Sequence, residues 1–381
     1  MGNTDQKVKS LYIHIPFCKK KCYYCDFPSF CGKDHLTEEY IKVLKKEIDS
    51  RASEFNIATI FIGGGTPTFL NSKELYLLGE AIKKLNLLDD CEFTVECNPG
   101  TLNRDKLIAL KDIGVNRLSF GLQSTHDYHL KNIGRIHSYQ EFVDNFHLAR
   151  EIGFDNINVD LIFGLPKETM EEWEEDLNRV CALEPEHISC YSLIIEEDTP
   201  FKKLQDKGLL KLPSEELERD MYRKALEILE LKDYKQYEIS NFSKPHRECK
   251  HNIVYWKLKD YIACGTGAHS YVEGRRTKNA ATIEEYISLM NNDGHAAIEE
   301  HFNSRKDDIE EYIFMGMRMT YGISLTAFEE RFNIPFRDLY NNVLLKYQQE
   351  KLINVHDDRL YFTKKGVEFS NLVLSDFLLD E

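Results

Sequence analysis

The 381-residue sequence contains no run approaching the roughly 18 apolar residues that a membrane-spanning helix needs. Its first ten residues, Met-Gly-Asn-Thr-Asp-Gln-Lys-Val-Lys-Ser, lack the apolar centre of a secretory signal. Positive charge is in deficit, with 49 Lys and Arg against 64 Asp and Glu and a net charge of −15. Non-specific nucleic-acid binding depends on neutralising phosphates, so nucleic acid is not an expected partner. There is no internal repeat and no low-complexity segment. What remains is a globular chain of ordinary composition, 42% hydrophobic and 30% charged, expected in the cytoplasm. Its length predicts two or three domains, or one large α/β domain with an appendix.

Cysteine is present in quantity, ten residues in all. Without a signal they are expected as free thiols or metal ligands in a reducing compartment. Three of them, Cys18, Cys22 and Cys25, stand at C-x3-C-x2-C spacing directly after the apolar run 11–17. Clustered thiolates hold iron–sulfur clusters, usually four to a cluster. Three leave one iron of a four-iron cluster without a protein thiolate, open to a small ligand. The alternatives are a structural zinc site or three unrelated buried thiols. Zinc sites pair such cysteines with a second pair or a His pair, and no second C-x2-C pair exists here. Cys31, Cys91, Cys97, Cys181, Cys190, Cys249 and Cys264 are scattered, and most read as small core residues.

Strand-like runs recur at 11–17, 59–63, 92–98, 117–124, 156–163 and 187–195, each followed by a helical pattern. Thr37 and Asn103 are candidate helix caps, and Ser138 with Glu141 and Thr169 with Glu172 spell capping boxes. Gly153 stands where a C-terminal cap belongs. Six β-α units in series imply a parallel sheet with right-handed crossovers. They are too few for a closed eight-stranded barrel. The expected fold is therefore α/β, an open, three-quarter parallel β/α barrel over residues 1–200. Residues 201–303 read as an α+β extension and 304–381 as a small unit. In that unit helices, a hairpin turning at Asp357-Asp358 and a last helix resemble a winged helix.

Polar and glycine-rich residues gather at the carboxyl ends of the predicted strands, where parallel β/α folds bind ligands. Cys18 follows the first strand, Gly63-Gly64-Gly65-Thr66-Pro67-Thr68 the second, Glu96-Cys-Asn-Pro-Gly the third and Gly121-Leu-Gln123 the fourth. The glycines let backbone amides approach a ligand, or form a plain tight turn. A ligand with an amine and a carboxylate would lie across them and complete the cluster. Asp160, inside an apolar strand, needs a partner; a ribose diol would serve, as would Arg135. His251 stands in Cys249-Lys-His251-Asn252-Ile-Val-Tyr255-Trp256. It is either a heme-iron ligand flanked by aromatics or a hydrogen-bonded structural histidine.

Taken together, C-x3-C-x2-C, Gly-Gly-Gly-Thr-Pro-Thr, Glu-x-Asn-Pro-Gly and the run Asp160–Pro166 resemble the radical S-adenosylmethionine superfamily. More narrowly the chain is similar to the group around oxygen-independent coproporphyrinogen III oxidase, over nearly its whole length. The dehydrogenases of that group carry a fourth cysteine two places after the third; here the position is Phe27. His251-Asn252-Ile-Val-Tyr255-Trp256 matches the H-N-x-x-Y-W motif of the group's heme chaperones. The resemblance implies a [4Fe-4S] cluster on Cys18, Cys22 and Cys25 with S-adenosylmethionine on the fourth iron. It implies Tyr12, Gly64, Gly65, Thr66, Glu96, Gln123, Arg135 and Asp160 as S-adenosylmethionine contacts and His251 as heme ligand. It further implies heme and heme-accepting proteins as partners, membrane respiratory enzymes among them, and a homodimer, with no catalytic residue assigned. The competing expectation is a coproporphyrinogen dehydrogenase of heme biosynthesis.

Overall fold

The structure is a computed structural model that describes residues 8–379. Residues 1–7, part of the stretch read for a secretory signal, lie outside the described residues. Strands β1 (Val8–Ile15), β2 (Asn56–Gly64), β3 (Asn86–Cys97), β4 (Arg117–Gln123), β5 (Ile157–Phe163) and β6 (His187–Ser192) pair in parallel in chain order. Helices α1 (Thr37–Ala52), α2 (Ser72–Ile82), α3 (Arg104–Asp112), α4 (Asp127–Asn132), α5 (Tyr139–Ile152) and α6 (Met170–Cys181) return between them. All six predicted strands are present, and the sheet stays open as a partial barrel.

Local chemistry explains the helix boundaries. Ser138 with Glu141 and Thr169 with Glu172 form the expected capping boxes, Asn103 accepts from the Lys106 amide, and Gly153 closes α5 at φ +97°. Thr37 departs from expectation. A short helical turn at Asp34–Leu36 precedes it, so Thr37 is already helical and its hydroxyl donates to Asp34 O.

The strands sort their residues by pleat. On β4, Leu118, Phe120 and Leu122 are buried in the main core, while Arg117, Ser119, Gly121 and Gln123 line an interior cavity. Each fully buried Leu, Ile or Phe on the core face contributes about 1.5–3 kcal/mol. The barrel wall therefore has an apolar outer face and a polar inner one.

The chain beyond residue 200 extends the same sheet instead of standing apart from it. After α7 (Pro200–Asp206) and α8 (Glu215–Leu231), the hairpin β7 (Lys235–Glu238) and β8 (Asn241–Ser243) adds to β6. At the other edge β9 (Tyr261–Cys264) runs parallel to β1, followed by antiparallel β10 (His269–Val272), β11 (Arg275–Asn279) and β12 (Ala297–Phe302). Between them, α9 (Lys250–Trp256) carries the His-Asn-Ile-Val-Tyr-Trp residues. Glu92 accepts from the Lys250 and His251 amides, and Glu92 is in register with Thr59 and, through it, Ser10. These positions precede the Gly64 end of β2 by five residues, so α9 closes the amino-terminal end of the barrel.

After α10 (Ile283–Asn292), helices α11 (Arg305–Gly316), α12 (Leu325–Phe332) and α13 (Phe336–Gln349) surround a second core. The short strand β13 (Ile323–Ser324) pairs with a hairpin of β14 (Ile353–His356) and β15 (Arg359–Phe362), which turns at Asp357-Asp358. Among the described residues no helix is long and apolar enough to cross a membrane.

Candidate functional site

One cavity of about 600 Å³ runs through the barrel interior. Its wall includes Tyr12, Cys18, Cys22, Cys25, Gly64, Gly65, Thr66, Glu96, Gln123, Arg135, Asp160 and His251, so every site residue predicted from the sequence faces the same space. The thiols stand at the carboxyl ends of the strands and His251 at the opposite end.

The thiol loop is held from several sides. Cys18 N donates to Phe30 O and Cys25 N to Cys22 O, and the Cys18 thiol lies 3.4 Å from Thr66 Oγ1. Half-buried Arg135 reaches Cys22 Sγ through Nη1 at 3.5 Å and donates to Gly121 O through Nη2. Its Nε has no partner among the described residues. Burial raises the Cys18 thiol and pushes Cys25 up to about 11. Among the described residues no three His, Cys, Asp or Glu side chains stand together as ligands for one metal ion. The three thiols line one shared cavity, and three thiolates on a four-iron cluster leave one iron open.

The amides of the glycine run are bonded within the protein. Gly64 N donates to Glu96 Oε2 at 3.0 Å, Gly65 N to Ile15 O at 2.9 Å and Thr66 N to Phe17 O at 2.8 Å. These amides are spent inside the protein. Glycine is required for closeness: a Cβ on Gly64, at φ +106°, would meet the His14 ring at 2.3 Å, and one on Gly65 would meet Ile15 O at 2.9 Å. The run locks β2 to the thiol loop, while Gly64 and Gly65 remain part of the cavity wall.

Glu96 and Asp160 face each other across the wall. Burial and then the Asp160 charge push Glu96 up to about 8, against the Gly64 hydrogen bond. Burial also raises Asp160, which accepts from Asn158 Nδ2 at 2.8 Å and Ser119 Oγ at 3.2 Å. Asp160 is thus held by neutral donors and makes no ion pair with Arg135. Gln123 ends β4 at φ +75°, a conformation costly for a residue with a Cβ, where the β4–β5 register shifts. Tyr12 shares a 3.0 Å hydrogen bond with His14.

His251 is fully buried, and burial drives it down to about 3, so its ring is neutral. Nδ1 lies 2.7 Å from Thr59 Oγ1, whose own proton goes to Ser10 Oγ. Nδ1 is therefore the protonated nitrogen. Nε2, 2.9 Å from the Tyr255 hydroxyl, carries the lone pair and accepts. The ring also stacks on Phe61 at 5.3 Å. An iron could take Nε2 only after Tyr255 lets go.

Three contributors were missed. Thr59 sets the His251 tautomer, Glu92 caps α9, and Arg117 lies at the cavity floor. Arg117 had a readable signal: the alternation Arg117, Ser119, Gly121, Gln123 between Leu118, Phe120 and Leu122 marks one polar face. Thr59 and Glu92 had none, because their partners lie more than 150 residues away.

Residues 12–180 match the radical SAM superfamily and residues 303–369 the HemN C-terminal domain. The chain is 40% identical over 376 residues to the heme chaperone HemW of Bacillus subtilis (strain 168), covering 97% of this chain and 99% of that one. It is also 40% identical over 377 residues to the heme chaperone HemW of Lactococcus lactis subsp. lactis (strain IL1403), covering 99% of each. The fold resembles coproporphyrinogen III oxidase (HemN) from Escherichia coli, a radical SAM enzyme. The TM-score is 0.85 at 24% identity, over 97% of this chain and 90% of that one.

Proposed function

The chain belongs to the HemW family of radical SAM proteins, and from that premise we propose that it binds heme and hands it to acceptor proteins. The observation that carries this reading is the continuity of one cavity, from the thiols at its rim to His251 and Tyr255 at its floor. A [4Fe-4S] cluster would sit on Cys18, Cys22 and Cys25, with S-adenosylmethionine beside it and heme toward α9.

The residues present fit these groups. Three thiols leave one iron free for the amine and carboxylate of S-adenosylmethionine. Bound there, the pair supplies one-electron chemistry. Glu96, once ionised, faces a cationic amine. Asp160, fixed by Asn158 and Ser119, presents acceptors to a ribose diol. Arg135 braces the thiol loop, while Gly64, Gly65 and Thr66 tie it to β2. Gln123 and Tyr12 complete the wall. His251 Nε2 is the iron ligand, with Tyr255 as the hydroxyl that guards it. Heme-accepting proteins, membrane respiratory enzymes among them, are the partners, and the chain works in the cytoplasm, with dimerisation coupled to heme transfer.

Phe27 stands 60% exposed at the cavity rim, at the place of the fourth cysteine of the dehydrogenases. An apolar ring there can pack on a flat ligand but can neither ligate iron nor exchange a proton. The deciding experiment is anaerobic incubation of the reconstituted protein with reductant, S-adenosylmethionine and coproporphyrinogen. No protoporphyrinogen is expected; its formation at catalytic yield would establish the dehydrogenase instead.

A further inference from the structure

Arg117 is a buried charge that the function above leaves unused. It is the first residue of β4, is 2% exposed and lines the cavity floor. Its guanidinium makes no hydrogen bond and no ion pair within 4 Å among the described residues, and its Nε is sealed without a partner. Other buried ions are differently treated. Glu47, Asp176 and Glu238 each accept at least two hydrogen bonds.

A guanidinium stays ionised in any protein site, and a buried ion without a partner is strongly destabilising. Glu92 and Asp160 offset part of the Arg117 charge from a distance, without a hydrogen bond to it, and each is engaged elsewhere. Glu92 spends its oxygens on the Lys250 and His251 amides and the Cys249 thiol. Asp160 accepts from Asn158 and Ser119 and makes no hydrogen bond to Arg117. The hydroxyl of Tyr237 is shared with His187 and Cys249 N. Among the described residues the fork of Arg117 therefore meets the cavity with no acceptor hydrogen-bonded to it.

We propose that Arg117 forms a carboxylate-binding subsite on the cavity floor, and that its occupant is a propionate of heme bound at His251. A planar fork of donors matches a carboxylate bidentately. Ligand carboxylates have two sources here, a heme propionate and the methionyl carboxylate of S-adenosylmethionine. Position favours the first. Arg117 lies six residues before Gln123, about 20 Å along the strand from the thiol rim, and its charge is felt by His251. The choice of propionate rests on the heme reading above; the subsite itself does not.

Two matched ligand pairs test it on the full-length, anaerobically reconstituted protein: heme against heme dimethyl ester, and S-adenosylmethionine against its decarboxylated form. Wild type is expected to bind heme on the order of ten- to a hundredfold more tightly than the diester. Arg117→Met should erase that preference and keep the preference for S-adenosylmethionine over its decarboxylated form. Arg117→Lys, a point charge, should restore part of it, and it carries the comparison where Arg117→Met does not fold. Loss of preference in the S-adenosylmethionine pair alone would keep the subsite and overturn its occupant. A folded variant with both preferences intact, or a wild type without either, would overturn the subsite. If wild type binds no heme, the chaperone reading fails, and the S-adenosylmethionine pair alone decides the subsite.

Discussion

Glu96 keeps its proton to about 8 because it is buried and faces Asp160. The unfolded chain releases that proton near the ordinary glutamate value of about 4.3. Between those two pH values the folded state holds the extra proton, so stability falls as pH rises through the window. Glu96→Gln removes the penalty while keeping an acceptor for Gly64 N. Its melting temperature in ligand-free protein should match wild type at pH 5 and exceed it by a few degrees at pH 8. A difference that stays flat across that range would contradict a protonated Glu96. At the opposite end of the cavity, the Tyr255 hydroxyl occupies the lone pair of His251. Tyr255→Phe exposes that nitrogen, and heme affinity should rise by roughly a hydrogen bond's worth, about 1 kcal/mol or fivefold. Weaker binding by this variant, followed by Soret titration, would make Tyr255 a contributor to the heme site and not its guard.

At the scale of elements, α9 is held by one carboxylate. Glu92 takes the first two amides of the helix and the Cys249 thiol, the His251 amide and the thiol being buried. Glu92→Ala leaves these donors unmet and should destabilise the protein by about 2–3 kcal/mol in urea unfolding, with heme binding weakened in parallel. An unchanged unfolding midpoint would show that the helix is held by its packing alone. This element also marks where sequence reading stopped. The parallel strands, the capping boxes and the thiol loop were legible because each rests on residues a few positions apart: a period of two, a Ser or Thr three residues before a Glu, cysteines within eight residues. The His251 motif was legible as a motif, but its place at the amino end of the barrel was not, since that place is set by Thr59 and Glu92. Likewise β9 joins β1 across some 250 residues, and nothing local in Tyr261–Cys264 announces it. The glycines stayed open to two readings for a related reason. Their amides look free until Ile15, Phe17 and Glu96 are brought against them.

At the scale of the whole molecule, the C-terminal unit bears on the cavity from behind. Arg318 stacks on the Trp256 ring at 4.4 Å and lies 3.5 Å from the fully buried Glu238, while Ile239 N donates to Arg318 O. Arg223 adds a two-bond ion pair to Glu368. Residues that follow the His-Asn-Ile-Val-Tyr-Trp motif in sequence thus brace it in space. Arg318→Ala should cost about 2–4 kcal/mol, because it strands Glu238 without its cation, and should shift Trp256 emission as its ring loses cover. Unchanged emission and stability would mean that the two units meet without supporting each other.

The central claim is that the cavity carries heme to its floor. The most direct measurement is a heme titration of anaerobically reconstituted protein, wild type against His251→Ala. The account predicts a saturable Soret shift at about one heme per chain, with the substitution weakening it at least tenfold. No saturable shift in wild type, from protein that is folded and loaded with iron, would contradict it.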